Sequence, residues 1–274
     1  MADPQFRDCT SADGTRIAYA VYGSGPPLFN VGVVLNSMNV LFTIPESRAY
    51  FDALAKQMTL VTFDRRGTGA SARDVDDLSL DAESHDIAAV ADAAGLRDVT
   101  LFATGGSAAA PCAHYAIEHR ERVRRIIFWG PSLNGTPAAY RERAAAYRQD
   151  APKARSLWAG AVFPAGPLSL QRAASDGVAD TLSVEMAARH FEALVDVDFD
   201  ALLPAVAMPA LVLQREQRVM PTQSATSVAD LLPNSRIQLF AGSALAPFPE
   251  HEPIVEAIVQ FAGLGERPSP AVRP

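Results

Sequence analysis

The stretch from Val99 to Val123, VTLFATGGSAAAPCAHYAIEHRERV, constrains the fold of this chain more than any other. Val99-Thr100-Leu101-Phe102-Ala103 is a short apolar run with the look of a buried strand. Thr104-Gly105-Gly106-Ser107 is a turn of small residues. The alanine-rich segment beyond it, with Tyr115, Ile117 and Val123, has helical character. A strand that turns sharply into a helix through small residues belongs to an α/β architecture with a mostly parallel sheet.

Other segments repeat that grammar. Arg16–Tyr22 alternates like a strand after the Asp13-Gly14 turn, and Gly23–Pro27 leads into the apolar run Leu28–Val34. Tyr50–Gln57 reads as a helix and Met58–Phe63 as a strand. Ser79 is placed to cap a helix reaching Ala94, with Ile87, Val90 and Ala91 on one face and His85 off it. Val123–Trp129, Ala210–Leu213 and Ile237–Phe240 complete the strands, and Pro253–Phe261 is a closing helix. Residues 1–10 read as an extended lead-in.

A serine at a strand-to-helix turn, in Gly105-Gly106-Ser107-Ala108-Ala109, gives a G-x-S-x-A variant of the nucleophile-elbow motif. Phe63-Asp64-Arg65-Arg66-Gly67-Thr68-Gly69-Ala70-Ser71 matches a D-x-R-G-x-G-x-S turn. With Tyr22–Leu28, Met208–Pro221 and Phe240–Phe248, these segments make nearly the whole chain resemble the α/β-hydrolase superfamily. The resemblance implies a mostly parallel central sheet flanked by helices, with a helical lid inserted after the strand that follows the elbow helix. It divides the chain into a core of residues 1–134 and 204–266, a lid of residues 135–203 and a disordered tail of residues 267–274.

The resemblance also marks departures. Gln217 stands at the position of the triad acid and Leu245 at that of the triad histidine. Val33-Val34 follow the first central strand where a His-Gly is usual. The nucleophile position falls at Gly105 when counted from the strand, and at Gly106 when counted back from Arg120–Val123. It falls at Ser107 when Pro111 is matched to an S-x-x-x-P variant, and Ser107 is preferred. The backbone N–H groups of Val33 and Ala108 are then the expected oxyanion donors. Val34, Asn36, Met38, Gly106, Trp158, Phe163, His190 and Phe191 are the expected pocket residues, with Met186 a further lid candidate.

A serine without a base is a poor nucleophile, and a leucine cannot move a proton. Three readings follow. In the first, the chain is an enzyme that has lost the Ser-His-Asp triad. It then catalyses a non-hydrolytic reaction (cyclisation, isomerisation, dehydration or lyase type) on a small apolar molecule. In the second, it is a residual serine esterase with a base rearranged to His251 or His190 and with Glu216 as the acid. In the third, it is a ligand-binding pseudoenzyme.

The 274 residues carry a net charge of −7 and no basic run, which disfavours nucleic acid and anionic membranes as partners. Two isolated cysteines, Cys9 and Cys112, make neither a disulfide framework nor a zinc site. No apolar run is long enough to span a bilayer. The expectation is a cytoplasmic monomer or homodimer that uses no cofactor or metal.

Overall fold

The computed structural model describes residues 3–35, 37–131, 137–216 and 223–263. Its centre is an eight-stranded sheet. The strands are β1 (Gln5–Thr10), β2 (Arg16–Gly23), β3 (Pro27–Val31), β4 (Thr59–Phe63), β5 (Val99–Thr104), β6 (Val123–Trp129), β7 (Ala210–Arg215) and β8 (Ser235–Phe240). Their order across the sheet is β1-β2-β4-β3-β5-β6-β7-β8. β2 runs antiparallel to both β1 and β4, and every other pairing is parallel. Residues 5–10, expected as a mere lead-in, form the antiparallel edge strand β1; its mostly exposed side chains give no apolar alternation to read.

Side chains of successive residues leave a strand on opposite faces, so each central strand feeds two cores. Phe29, Val61, Leu101, Ile126 and Val212 pack on one face. Leu28, Leu60, Phe102, Ile127 and Leu213 pack on the other. The first face is covered by α3 (Leu80–Ala93) and α4 (Gly106–Glu118), through residues such as Ile87, Val90, Cys112 and Tyr115. The second is covered by α1 (Met38–Thr43), α2 (Pro45–Ala55) and a closing helix at Glu252–Gly263. Ser79 caps α3, its hydroxyl accepting from the Ala82 N–H.

Between β6 and β7 the chain leaves the sheet for α5 (Pro137–Val162), α6 (Leu168–Thr181) and α7 (Val184–Glu192). α5 is two helices joined at Asp150, whose φ of −153° and ψ of 76° are not helical. Asp150 caps the second half, its carboxylate accepting from the Lys153 N–H at 3.1 Å, and Pro152 sits in that first turn. Two helical segments, the second capped by Asp150, therefore replace one long helix.

Candidate functional site

The central strand β5 ends at Thr104, and the chain turns into α4 through Gly105. Gly105 has φ 90° and ψ 167°, a backbone conformation in which L side chains are strained. Its N–H donates to the Trp129 carbonyl at 2.8 Å. The corner is thus pinned to β6, and Gly105 occupies it. Ser107, expected there, lies instead in the first turn of α4, in an ordinary helical stretch. Three consecutive small residues fit the motif equally well as a string, and the positive φ separates them.

With Gly105 as the corner, the following N–H belongs to Gly106. The Ala108 N–H, expected as an oxyanion donor, is instead directed at the Gly105 carbonyl at 3.1 Å. From the loop after β3, Val33 reaches the corner. A β-carbon built on Gly105 would lie 2.4 Å from Val33 Cγ1. Val33 therefore occupies the space that a side chain at the corner would need.

Above the corner is a cavity of about 380 Å³. Gly106 and Ser107 line it from α4, and Val33, Val34 and Leu35 from the loop after β3. Leu245 enters from the loop after β8. α5 contributes Tyr140, Arg143 and Tyr147 from its first half and Leu157, Trp158 and Ala161 from its second, and Phe191 comes from α7. Leu157 is 68% exposed, an apolar side chain standing in water beside the cavity. The Leu245 peptide is fixed on both sides: its N–H donates to the Ala161 carbonyl at 2.7 Å, and its carbonyl accepts from Trp129 Nε1 at 2.8 Å.

Of the expected pocket residues, Val34, Gly106, Trp158 and Phe191 line this cavity, as do Val33 and Ser107. Met38 does not. Its side chain packs on Ala18 and Ala20, and its N–H donates to Asp64 at 2.6 Å. Phe163 does not either. It is buried with its ring 6.3 Å from that of Phe248, and it borders a separate cavity of about 450 Å³ lined by Arg215, Gly242 and Glu250. His190 is also absent from the lining. It is buried beneath α7, with Nε2 3.0 Å from the Arg66 carbonyl and Nδ1 4.0 Å from Glu83. Met186 reaches the Gly67 turn, where a β-carbon would lie 2.6 Å from its sulfur. Asn36 and Gln217 lie outside the described residues.

The groups proposed to rebuild a base are placed elsewhere. His251 Nδ1 bonds the Phe248 carbonyl at 3.0 Å, and its ring lies 5.9 Å from that of Tyr50. Glu216 is exposed and borders neither cavity. Burial pushes the Cys112 thiol far up, as befits a packing residue. No Asp, Glu or His among the described residues lines the cavity. At the surface, Asp81, His114 and Glu118 bring one ligand atom each within 4.8 Å of one another, but none of them lines it.

The Asp64–Ser71 turn braces the site from below. Asp64 accepts from the N–H groups of Met38 and Ala70. Arg66, fully buried, pairs with Asp86 through two bonds of 2.7 Å and adds Asp13 at 2.9 Å. Arg65 pairs with buried Glu83 and donates to the Ser107 carbonyl at 3.0 Å. Burial removes Glu83 from water and pushes its carboxyl up, while Arg65 pulls it back. Asp64 and Arg66 therefore hold the loop by hydrogen bonds, and the sequence singled out this turn. It did not single out Arg65 or Glu83. Nor did it single out Tyr140, Arg143 and Tyr147, whose helical spacing along α5 was the available signal.

No protein-family model matches the sequence. Solved structures do resemble it. A bromoperoxidase from Bacillus anthracis superposes with a TM-score of 0.82 at 17% identity, over 94% of this chain and 100% of that one. An esterase from Exiguobacterium antarcticum gives 0.82 at 20% identity, over 94% and 100%. An enol-lactonase from Burkholderia xenovorans gives 0.77 at 17% identity, over 94% and 100%. Among the described residues no helix is long and apolar enough to cross a membrane. The sheet order, the β5–α4 corner and these superpositions together give the chain the α/β-hydrolase fold.

Proposed function

We propose that this chain binds a small, mostly apolar molecule in the cavity over the β5–α4 corner and does not hydrolyse it through a serine nucleophile. The corner carries this reading. In this fold a nucleophile needs the strained strand-to-helix position, because that conformation lifts its side chain clear of the backbone. Here that position is Gly105, and Val33 fills the space its side chain would take. Leu245 borders the same cavity without offering a base, and no histidine among the described residues lines it beside Ser107. Loss of the nucleophile and base together removes several powers of ten of rate from serine chemistry.

Intact-mass spectrometry after exposure to a fluorophosphonate tests this. The expected result is an unmodified chain. An adduct mapped to Ser107 means an activated serine and defeats the proposal.

A second reading keeps the binding and adds non-hydrolytic turnover by cyclisation, isomerisation, dehydration or elimination. One feature favours it: the N-terminus of the 13-residue helix α4 borders the cavity at Gly106 and Ser107. First-turn N–H groups and the helix dipole stabilise negative charge that develops on a carbonyl oxygen. Chromatography of enol lactones and β-hydroxy carbonyl compounds before and after incubation separates the two readings. An isomer or a product short of one water supports turnover, and unchanged compound supports binding alone.

A further inference from the structure

Arg143 of α5 stands at the cavity, and Arg155 of the same helix lies close enough to act on Tyr147, another of its walls. Arg143 lines the cavity with its guanidinium carbon 5.6 Å from the centre of the Tyr140 ring. Arg155 lies in the second half of α5, and its Nε is buried with no hydrogen-bond partner. Among the described residues neither pairs with a carboxylate. Arg148 on the same helix behaves differently, being held by Glu185 at 2.6 Å and by Glu192. Arg141, also on this helix, is exposed to water, whereas Arg143 and Arg155 are half-buried.

Between them stands Tyr147. It is 5% exposed, it lines the cavity, and its hydroxyl is buried without a hydrogen-bond partner. Burial pushes that phenol up to about 12, with the Arg155 charge acting in the opposite sense. At neutral pH it is therefore a hydroxyl with a proton to donate. A guanidinium does not deprotonate in a protein, and a buried polar group costs free energy until it is paired. The remaining walls are apolar: Val33, Val34, Leu35, Trp158, Phe191 and Leu245.

We infer that the ligand of this cavity is an amphiphilic monocarboxylate, with its carboxylate on Arg143 and its apolar body against Val34, Trp158, Phe191 and Leu245. The inference rests on the binding reading above and deepens it. Two carboxylate oxygens match the planar fork of a guanidinium. A single charge suits the site, because the walls around it offer little to solvate a second. A volume of about 380 Å³ is at the small end for ligand pockets and admits a bicyclic aromatic acid. Arg155 adds its field from behind Tyr147.

Isothermal titration calorimetry with 1-naphthylacetate and its neutral isostere 1-naphthylacetamide tests the assignment on the full chain. The acid is expected to bind about tenfold tighter or more, the usual scale of a charge-assisted hydrogen bond. Arg143→Gln is expected to bring the acid down to the amide, and Tyr147→Phe, which removes a hydroxyl enclosed by the protein, to leave the ratio of the two unchanged. Melting temperatures of both variants, read alongside, show that they are folded. Equal affinity of acid and amide in the unmodified chain overturns the carboxylate assignment and leaves the binding reading standing. So does an advantage of the acid that survives Arg143→Gln. Failure of both compounds to bind overturns the assignment and the binding reading together.

Discussion

The Ser107 carbonyl accepts a hydrogen bond from Arg65 at 3.0 Å because Pro111 cannot provide one. In a helix that carbonyl belongs to the N–H four residues on, and a proline there has none. The D-x-R-G-type turn thus completes the first turn of α4 from outside, and Glu83 holds the arginine that does so.

Removing Arg65 strands two groups at once. Arg65→Met leaves Glu83 buried without its cation and the Ser107 carbonyl without a donor. The expected loss is about 3–5 kcal/mol, measured by urea unfolding. Arg65→Met combined with Glu83→Leu is expected to recover most of it, since a buried pair replaced by apolar groups is often neutral. No recovery in the double variant would show that the Ser107 contact dominates.

Gly105→Ser places a hydroxyl at the corner but not a nucleophile. The new β-carbon meets Val33 Cγ1, and the positive φ adds strain of about 1–3 kcal/mol. The variant is expected to unfold at lower urea, and Gly105→Ser with Val33→Gly to regain part of the loss. Neither is expected to hydrolyse p-nitrophenyl acetate above background, since Leu245 still offers no base.

Gly67 sits under α7 with φ 78°, and its missing side chain makes room for Met186. Gly67→Ala is expected to destabilise by about 1–3 kcal/mol. Adding Met186→Ala should relieve only the steric part. Thermal unfolding of the two variants separates strain from crowding.

His190 gives the chain a pH signature. Burial, followed by the nearby Arg65 charge, lowers its pKa from an ordinary 6.5 to about 3. Nε2 carries the proton, because the Arg66 carbonyl can only accept. Below pH 6.5 the unfolded chain binds a proton at this residue that the folded chain does not. Stability from the neutral ring is therefore complete above pH 6.5 and lost as pH falls towards 3, by at most about 1.4 kcal/mol per pH unit. Glu83, raised by burial, acts in the opposite direction, so the wild-type curve alone mixes the two. The difference between wild type and His190→Gln isolates the histidine and is expected to shrink in the wild type's disfavour as the pH drops from 7 to 4. A flat difference would mean that the ring is charged in the fold.

The architecture was legible in the sequence because parallel strands buried on both faces read as bare apolar runs, and each run here became a strand. The corner was not, because Gly105-Gly106-Ser107 is equally small throughout. What distinguishes Gly105 is a backbone angle and the approach of Val33 from another strand's loop, neither of which leaves a local trace. Phe163 was misplaced because it is a large aromatic in the inserted helices. It follows the end of α5 and turns to Phe248, whereas Tyr140, Arg143 and Tyr147 share one face of that helix. Arg143 and Tyr147 were passed over because polar residues on such a helix read as its wet side, and only the fold reveals that this side borders a cavity.

The doubly tied peptide of Leu245 gives the two halves of α5 separate moorings. The second half of α5 is moored to β6 and the loop after β8, so it travels with the sheet. The first half is joined to α7 by Arg148 with its two acids and by the packing of Tyr147 on Phe191, and α7 is itself held to the Gly67 turn by His190 and Met186. The two walls that α5 gives the cavity are therefore fixed to the core by different routes, on either side of Asp150.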